Sequence, residues 1–292
     1  MSKRYSNSQN KSTNVRNNYK RNLIRYTTAI VYRIIPLIIE NFIKQHFFKP
    51  KHYPVSEQEK ILLQTGIPFE LELHHKILRC WKWGKGPYII LVHGWNGHGS
   101  QYLYIIKRLI SAGFSVVIFD GPAHGQSEGT HSSYFQMTDA VRRLIYYINS
   151  KNILGFIGHS FGASAIINAI SKENVTKKNI LLAPALNIQK ILEDTFVYYG
   201  IPIDILYKLI SEYEQKFGYS MEQDNPLNIL KSIKQELLII HDVDDTITPY
   251  DESKHISLNY SNIQIITTNG LGHKRILIDP WVTDCILDYL EK

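Results

Sequence analysis

Ile153-Leu154-Gly155-Phe156-Ile157-Gly158-His159-Ser160-Phe161-Gly162-Ala163 is the stretch that decides the fold. An apolar run of strand character meets G-x-S-x-G and passes directly into small, helix-forming residues, Ala163 to Ile170. A strand that turns so abruptly into a helix forces the serine into strained backbone angles. Glycine is then needed wherever neighbouring chain crowds the turn. The Ser160 hydroxyl is thereby presented at the end of a sheet, clear of its own backbone, and is the candidate nucleophile.

Strands and helices alternate outward from this turn. Phe69–Leu73 alternates like a half-buried strand, with Ile77–Trp83 as its partner. Tyr88–Val92 follows as a continuous apolar run of the kind buried in a parallel sheet. A helix over 102–112, a strand Ser115–Phe119 and a helix over about 134–149 lead to the quoted stretch. Asn179–Leu182, Glu236–Ile240 and Ile263–Thr267 read as the remaining strands, the last two each followed by a helical segment. The alternation predicts an α/β fold with a mostly parallel central sheet covered by helices on both faces. It stops between Pro184 and about Lys231, where the chain is helical and aromatic with a break at Gly200-Ile201-Pro202. Residues 185–231 are therefore expected to form a helical lid insertion in a domain spanning 66–292.

A serine hydroxyl is a weak nucleophile until a base takes its proton, and that base needs a third group to fix its tautomer. His273, in Asn269-Gly270-Leu271-Gly272-His273, is the one histidine between the last strand and the C-terminal helix. The acid should lie on the loop after the preceding strand, where Asp242, Asp244 and Asp245 all stand. Asp245 is the first choice and Asp244 the next. The oxyanion formed during attack needs two backbone N–H donors. Phe161, next to the nucleophile, offers one, and Trp95 in His93-Gly94-Trp95-Asn96-Gly97 offers the other. A metal held by His93 and His98 was weighed against this and lacks a third ligand at useful spacing. No metal and no cofactor is expected.

These segments resemble the α/β-hydrolase superfamily, in particular lidded bacterial hydrolases grouped with serine aminopeptidases and monoacylglycerol-lipase-like enzymes. The motifs that carry the resemblance are the H-G-W loop at 93–95, Asp120-Gly121-Pro122-Ala123-His124-Gly125-Gln126-Ser127, G-H-S-F-G, the H-D-x-D-D-x-x-T-P loop from His241, and G-L-G-H ending at His273. The likeness covers about residues 69–290. It implies the order nucleophile, acid, histidine, matching Ser160, Asp245 and His273, with His124 and Gly125 in a structural turn. Asp242 stands where such enzymes usually carry glycine, which adds charge near the site. Members of the family act on esters, thioesters, amides and peptides.

The net charge of +7 is misleading until it is located. Residues 1–51 hold eleven Lys/Arg and a single acid, Glu40, leaving 22 basic and 25 acidic residues in 52–292. The body is mildly acidic, so nucleic acid is excluded as its partner. Residues 1–22 read as a disordered basic tail and 23–65 as an amphipathic helical segment kinked at Pro36. Arg33, Pro36 and Glu40 interrupt its apolar run too early for a membrane span, which needs about 20 apolar residues. Packing on the body and peripheral membrane contact through residues 1–50 both stay open. Cys80 and Cys285 lack framework or metal spacing and fit a reducing, cytoplasmic setting, with the inner face of the membrane as the alternative.

The leading expectation is a serine hydrolase cleaving an ester or related acyl bond of a small, partly apolar substrate. An aminopeptidase-type peptidase would need a lid carboxylate to hold the substrate amine, with Glu193, Asp194, Glu212 and Glu214 as candidates. A non-catalytic, membrane-surface binding protein on a hydrolase fold is the reading from another class. Oligomeric state is not written in the sequence.

Overall fold

The structure, a computed structural model, describes residues 26–28, 30–173 and 178–292. The basic tail expected over 1–22 lies outside the described residues. The chain divides into two compact units. Phe48–Ile188 with Tyr219–Lys292 form one, and the described residues up to Phe47 with Gln189–Gly218 form the other.

The larger unit carries an eight-stranded sheet. Its strands are β1 (Ile67–Leu73), β2 (Lys76–Trp83), β3 (Tyr88–Val92), β4 (Ser115–Phe119), β5 (Ile153–His159), β6 (Lys178–Leu182), β7 (Leu237–Asp242) and β8 (Ile263–Thr268). They lie in the order β1-β2-β4-β3-β5-β6-β7-β8. β1 and β2 pair antiparallel, as do β2 and β4, and every other pairing is parallel. The expected α/β architecture is therefore present, with antiparallel pairing confined to the β1 end.

Burial explains the continuous apolar runs. Ile89, Ile90, Leu91 and Val92 are all fully buried because both faces of β3 are covered. Ile90, Val92, Val117 and Phe119 face a layer that includes α4 (Tyr134–Ile148) and α5 (Phe161–Lys172), through Met137, Val141, Ile166 and Ile170. Ile89, Leu91, Val116 and Ile118 face the other layer. That layer is built from α2 (Glu57–Thr65), α3 (Leu103–Ser111) and the C-terminal helix Pro280–Glu291, through Leu62, Ile105, Leu109 and Ile286. Each such aliphatic chain contributes about 1.5–3 kcal/mol by leaving water. α2 starts on a reciprocal cap in which Ser56 and Glu59 each bind the other's backbone N–H. It belongs to the sheet-bearing unit, although the sequence grouped it with the N-terminal helical segment 23–65.

The smaller unit is helical. Residues 26–28 and 30–34 are helical, Ile35 interrupts, and α1 (Pro36–Phe47) continues. Pro36 supplies no N–H and sits at the first position of α1, the site where a helix tolerates proline. Within the same unit lie α6 (Ile188–Tyr199, from Gln189 onward) and α7 (Ile203–Phe217). α1 is tied to them by Lys208–Glu40 and Lys44–Glu212 ion pairs at 2.6 and 2.7 Å and by edge-on contact of Phe47 with Phe196.

In a parallel sheet the carboxyl ends of the strands share one edge. The loops after β3, β5, β7 and β8 therefore meet there. The junction of β5 with α5 is the tightest packing point. A Cβ on Gly162 would stand 2.2 Å from the Val92 carbonyl oxygen and 2.5 Å from that of His93. One on Gly158 would stand 2.7 Å from the Ala163 Cα. Gly162→Ala is therefore expected to lower stability by about 2–3 kcal/mol and Tm by roughly 5–10 °C. Thermal unfolding checks this, and an unchanged Tm would contradict the packing described.

Candidate active site

Ser160 lies between β5 and α5 with φ 54° and ψ −118°, a conformation that a residue with a Cβ adopts only under constraint. The constraint is visible in its backbone. The Ser160 N–H donates to the Leu182 carbonyl at 2.9 Å, and its carbonyl accepts from Ala163 and Ala185 N–H at 3.1 and 3.2 Å. The neighbouring strand β6 and its following loop thus hold the serine on both sides. Phe161 is the first residue of α5, so its N–H has no carbonyl one turn back within the helix.

The loop after β3 presses against this turn. A Cβ on Gly94 would lie 3.1 Å from the Ser160 Cβ, so only a bare backbone approaches the serine this closely without displacing it. The Trp95 ring meets Phe161 edge-on at 5.3 Å between centroids. His93 fixes the loop from below. Its Nε2 accepts from the Gly121 N–H and its Nδ1–H donates to the Gly94 carbonyl, both at 2.8 Å. That carbonyl also accepts from Gly97 N–H at 3.0 Å. Both ring nitrogens of His93 are thereby used within the protein. Among the described residues no group of three or more His, Cys, Asp or Glu side chains could hold a metal. Asn96, at φ 62°, accepts from the Lys51 N–H at 2.7 Å and so ties this loop to the chain that follows Phe48.

Asp120, His124 and Gly125 serve the same region. The buried Asp120 carboxylate accepts from Gly99 and Gln126 N–H at 2.8 Å each. A Cβ on Gly125 would collide with that carboxylate, at 2.1 Å from its Oδ2.

The three acids of the loop after β7 separate into three tasks. Asp245 lies 2.7 Å from the Nδ1 of His273, and its side chain is wholly buried. The same oxygen stands 3.3 Å from His241 Nε2 and accepts from the Thr248 hydroxyl at 2.9 Å, while Oδ1 accepts from Ile247 and Thr248 N–H. Burial pushes the Asp245 pKa up, but these hydrogen bonds, from His241 and His273 first, outweigh it and hold the carboxyl far below its ordinary range. A carboxylate can only accept, so His273 carries its proton on Nδ1 and leaves Nε2 with a free lone pair. Asp242 instead binds the chain around His273. It accepts from the Thr268 hydroxyl at 2.7 Å, Leu271 N–H at 2.9 Å and Asp244 N–H at 3.0 Å. Burial works against its charge and these donors prevail, so its pKa is lowered. Asp244 accepts from Gly270 N–H at 3.1 Å.

His273 sits on a single helical turn, Gly272–Arg275, between β8 and the C-terminal helix. His159 connects that turn to Ser160, its neighbour in sequence. Its Nε2–H donates to the His273 carbonyl at 2.8 Å, and the two rings lie 4.6 Å apart. Sequence reasoning missed His159, His241 and Thr248 as members of the site. Their positions inside G-x-S-x-G and H-D-x-D-D-x-x-T-P were the available signal.

Three imidazoles around the site are buried and neutral. Burial lowers the pKa of His93 to about 4, His124 to about 3 and His159 to about 3. In the unfolded chain each titrates near 6.5. As pH falls below about 6.5 the unfolded chain takes up three protons that the folded protein refuses, so stability is lost through the window from about 6.5 to 4. The slope should approach three protons, about 4 kcal/mol per pH unit once all three unfolded imidazoles are charged. Urea unfolding between pH 7 and 5 measures it. His124→Gln should reduce the slope by one proton, and a flat profile in that window would contradict the assignment.

Parts of the chain resemble known proteins. Residues 86–226 match the family model described as serine aminopeptidase, S33. The chain is 26% identical to a lysophosphatidylserine lipase, ABHD12, of Danio rerio over 233 residues, covering 70% of this chain and 58% of that protein. It is 25% identical to the Bos taurus protein of the same name over 88% of this chain and 73% of the relative. Among solved structures, the Pyrococcus furiosus esterase Pf2001 superposes with a TM-score of 0.65 at 21% identity, covering 83% of this chain and 98% of that one. Est1E from Butyrivibrio proteoclasticus superposes at 0.60 and 19% identity, covering 77% of this chain and 100% of that one. Sheet order, strained serine turn and family match agree on the α/β-hydrolase fold for this chain.

Proposed function

We propose that this chain is a serine hydrolase that cleaves an ester or related acyl bond of a small, partly apolar substrate. The observation that carries the reading is the His273–Asp245 hydrogen bond at 2.7 Å, linked through His159 to a serine in the strained turn of a nucleophile. Ser160 attacks the acyl carbon as His273 Nε2 takes its proton, and Asp245 stabilises the imidazolium that results. The Trp95 and Phe161 N–H groups receive the oxyanion. His273 returns the proton to the leaving alcohol, and water then releases the acyl group by the same route in reverse. The relatives' lysophosphatidylserine lipase name makes a single-chain phospholipid ester the first substrate class to assay, with the reaction beside a membrane that residues 1–50 contact. The cytoplasmic face is the setting that fits two free cysteines.

The serine aminopeptidase description of the family model keeps a peptidase as the second reading. The pairing of three of the four candidate acids weighs against it. Glu193 accepts from Gln189 and Tyr207, Asp194 pairs with Lys190, and Glu212 pairs with Lys44. An amine-binding carboxylate needs to be free for its substrate.

Fluorophosphonate labelling tests the nucleophile: the wild type should take the label and Ser160→Ala should not. On p-nitrophenyl acyl esters Ser160→Ala should lose on the order of 10^5-fold or more in kcat, and Asp245→Asn about 10^4-fold. An unlabelled, folded wild type would overturn the proposal in favour of a binding protein. Turnover of aminoacyl arylamides but not of esters would move it to the peptidase.

A further inference from the structure

The N-terminal helices are apolar on two opposite sides. One side packs within its own unit: Ile43 is buried, Ile39 and Phe47 are half-buried, and Glu40 and Lys44 reach across to α7. The other side carries Tyr26, Ile30, Ile34, Leu37, Ile38 and Phe42, each between 58% and 72% exposed. Helical spacing puts these six within one half of the helix circumference, with Val31 and Ile35 beside them and Arg33 at the margin. The Ile39 N–H bond to the Ile35 carbonyl at 3.3 Å carries the turn past Pro36, so the face runs across the break. A surface helix of a soluble protein keeps polar residues on its outer side, and single exposed apolar residues are ordinary. A run of six on one face is the mark of a surface that is covered in use.

Charge selects what covers it. Residues 1–25, immediately before the face, contain seven Lys/Arg and no Asp or Glu. A second copy of the chain would bring fourteen like charges together. An anionic lipid surface would instead attract each of them, at about 1 kcal/mol or fivefold in partition per basic residue near the membrane. Among the described residues no helix is long and apolar enough to cross a membrane, and an amphipathic helix with a basic flank is suited to lying in the interface plane.

We propose that the face formed by Tyr26, Ile30, Ile34, Leu37, Ile38 and Phe42 inserts into the headgroup layer of an anionic membrane, steered by the basic residues that precede it. This deepens the membrane contact in the functional reading, but it does not depend on the chemistry at Ser160. The full-length chain should float with phosphatidylglycerol/phosphatidylcholine vesicles at low salt and far less with phosphatidylcholine alone. Bound fraction should fall in 0.5 M salt. Ile34→Ser/Ile38→Ser/Phe42→Ser, which spares Ile39, Ile43 and Phe47, should weaken partition tenfold or more while far-UV circular dichroism is unchanged. Lys3→Gln/Arg4→Gln/Lys11→Gln should weaken it on anionic vesicles only. Fluorophosphonate labelling, read in parallel, reports on Ser160 separately: unlabelled protein that still floats rejects the hydrolase and keeps the docking face. Equal flotation of wild type and the triple serine variant would sink the proposal. So would a wild-type dimer that the same variant converts to monomer, which would assign the face to a second copy.

Discussion

Ser160 is held in its strained turn by what its neighbours lack. Gly158 and Gly162 let the end of β5 and the start of α5 approach their neighbours more closely than any Cβ allows, and Gly94 brings the loop after β3 to where a Cβ would be crowded. Their contact brings the bare backbone beside Trp95 against the serine and points the first turn of α5 into the same space. A φ of 54° on a residue with a side chain costs on the order of 1–3 kcal/mol. The surrounding sheet, buried on both faces, is the source that offsets it. The rest of the site depends on this convergence, since histidine and acid have meaning only relative to a hydroxyl that stands clear of its own chain.

The second organising element is a pair of buried carboxylates three residues apart with different work. Asp245 collects two imidazoles, a hydroxyl and two backbone N–H groups. Asp242 collects the backbone that brings His273 to it. A carboxylate in an apolar interior is costly unless its lone pairs are filled, and here both are filled by donors from loops after β7 and β8. The charge thereby becomes a device for fixing loop shape. At position 242 the chain uses a side chain to fix with hydrogen bonds the course of the loop that carries His273.

Much of this was readable in the sequence because the period and the punctuation of an α/β chain are local. Apolar runs of five, glycine-bearing turns and helical segments predicted the sheet, and the sheet has that order of elements. Parallel strands imply one functional edge, which is why a histidine after β8 and an acid after β7 could be expected near the turn at 160. The choice among Asp242, Asp244 and Asp245 was not readable from residue type. It rests on which backbone N–H groups fold back onto which oxygen. His159 stayed hidden because it acts across 114 residues, and His241 because its contact with Asp245, four positions on, depends on the path of the intervening loop. The grouping of α1 with Gln189–Gly218 was also beyond reach, because ion pairs 168 positions apart leave no local trace.

The segment just after Phe47 is pinned at two points. Phe48 accepts from Ser132 N–H through its carbonyl at 2.9 Å, and the Lys51 N–H donates to the Asn96 side chain, one residue from Trp95. The chain at the amino-terminal end of the sheet-bearing unit is therefore fastened to the β3 loop by the 2.7 Å bond to Asn96. The path of the chain after Phe48 and the shape of the β3 loop are in this way set together, by main-chain groups rather than by packing.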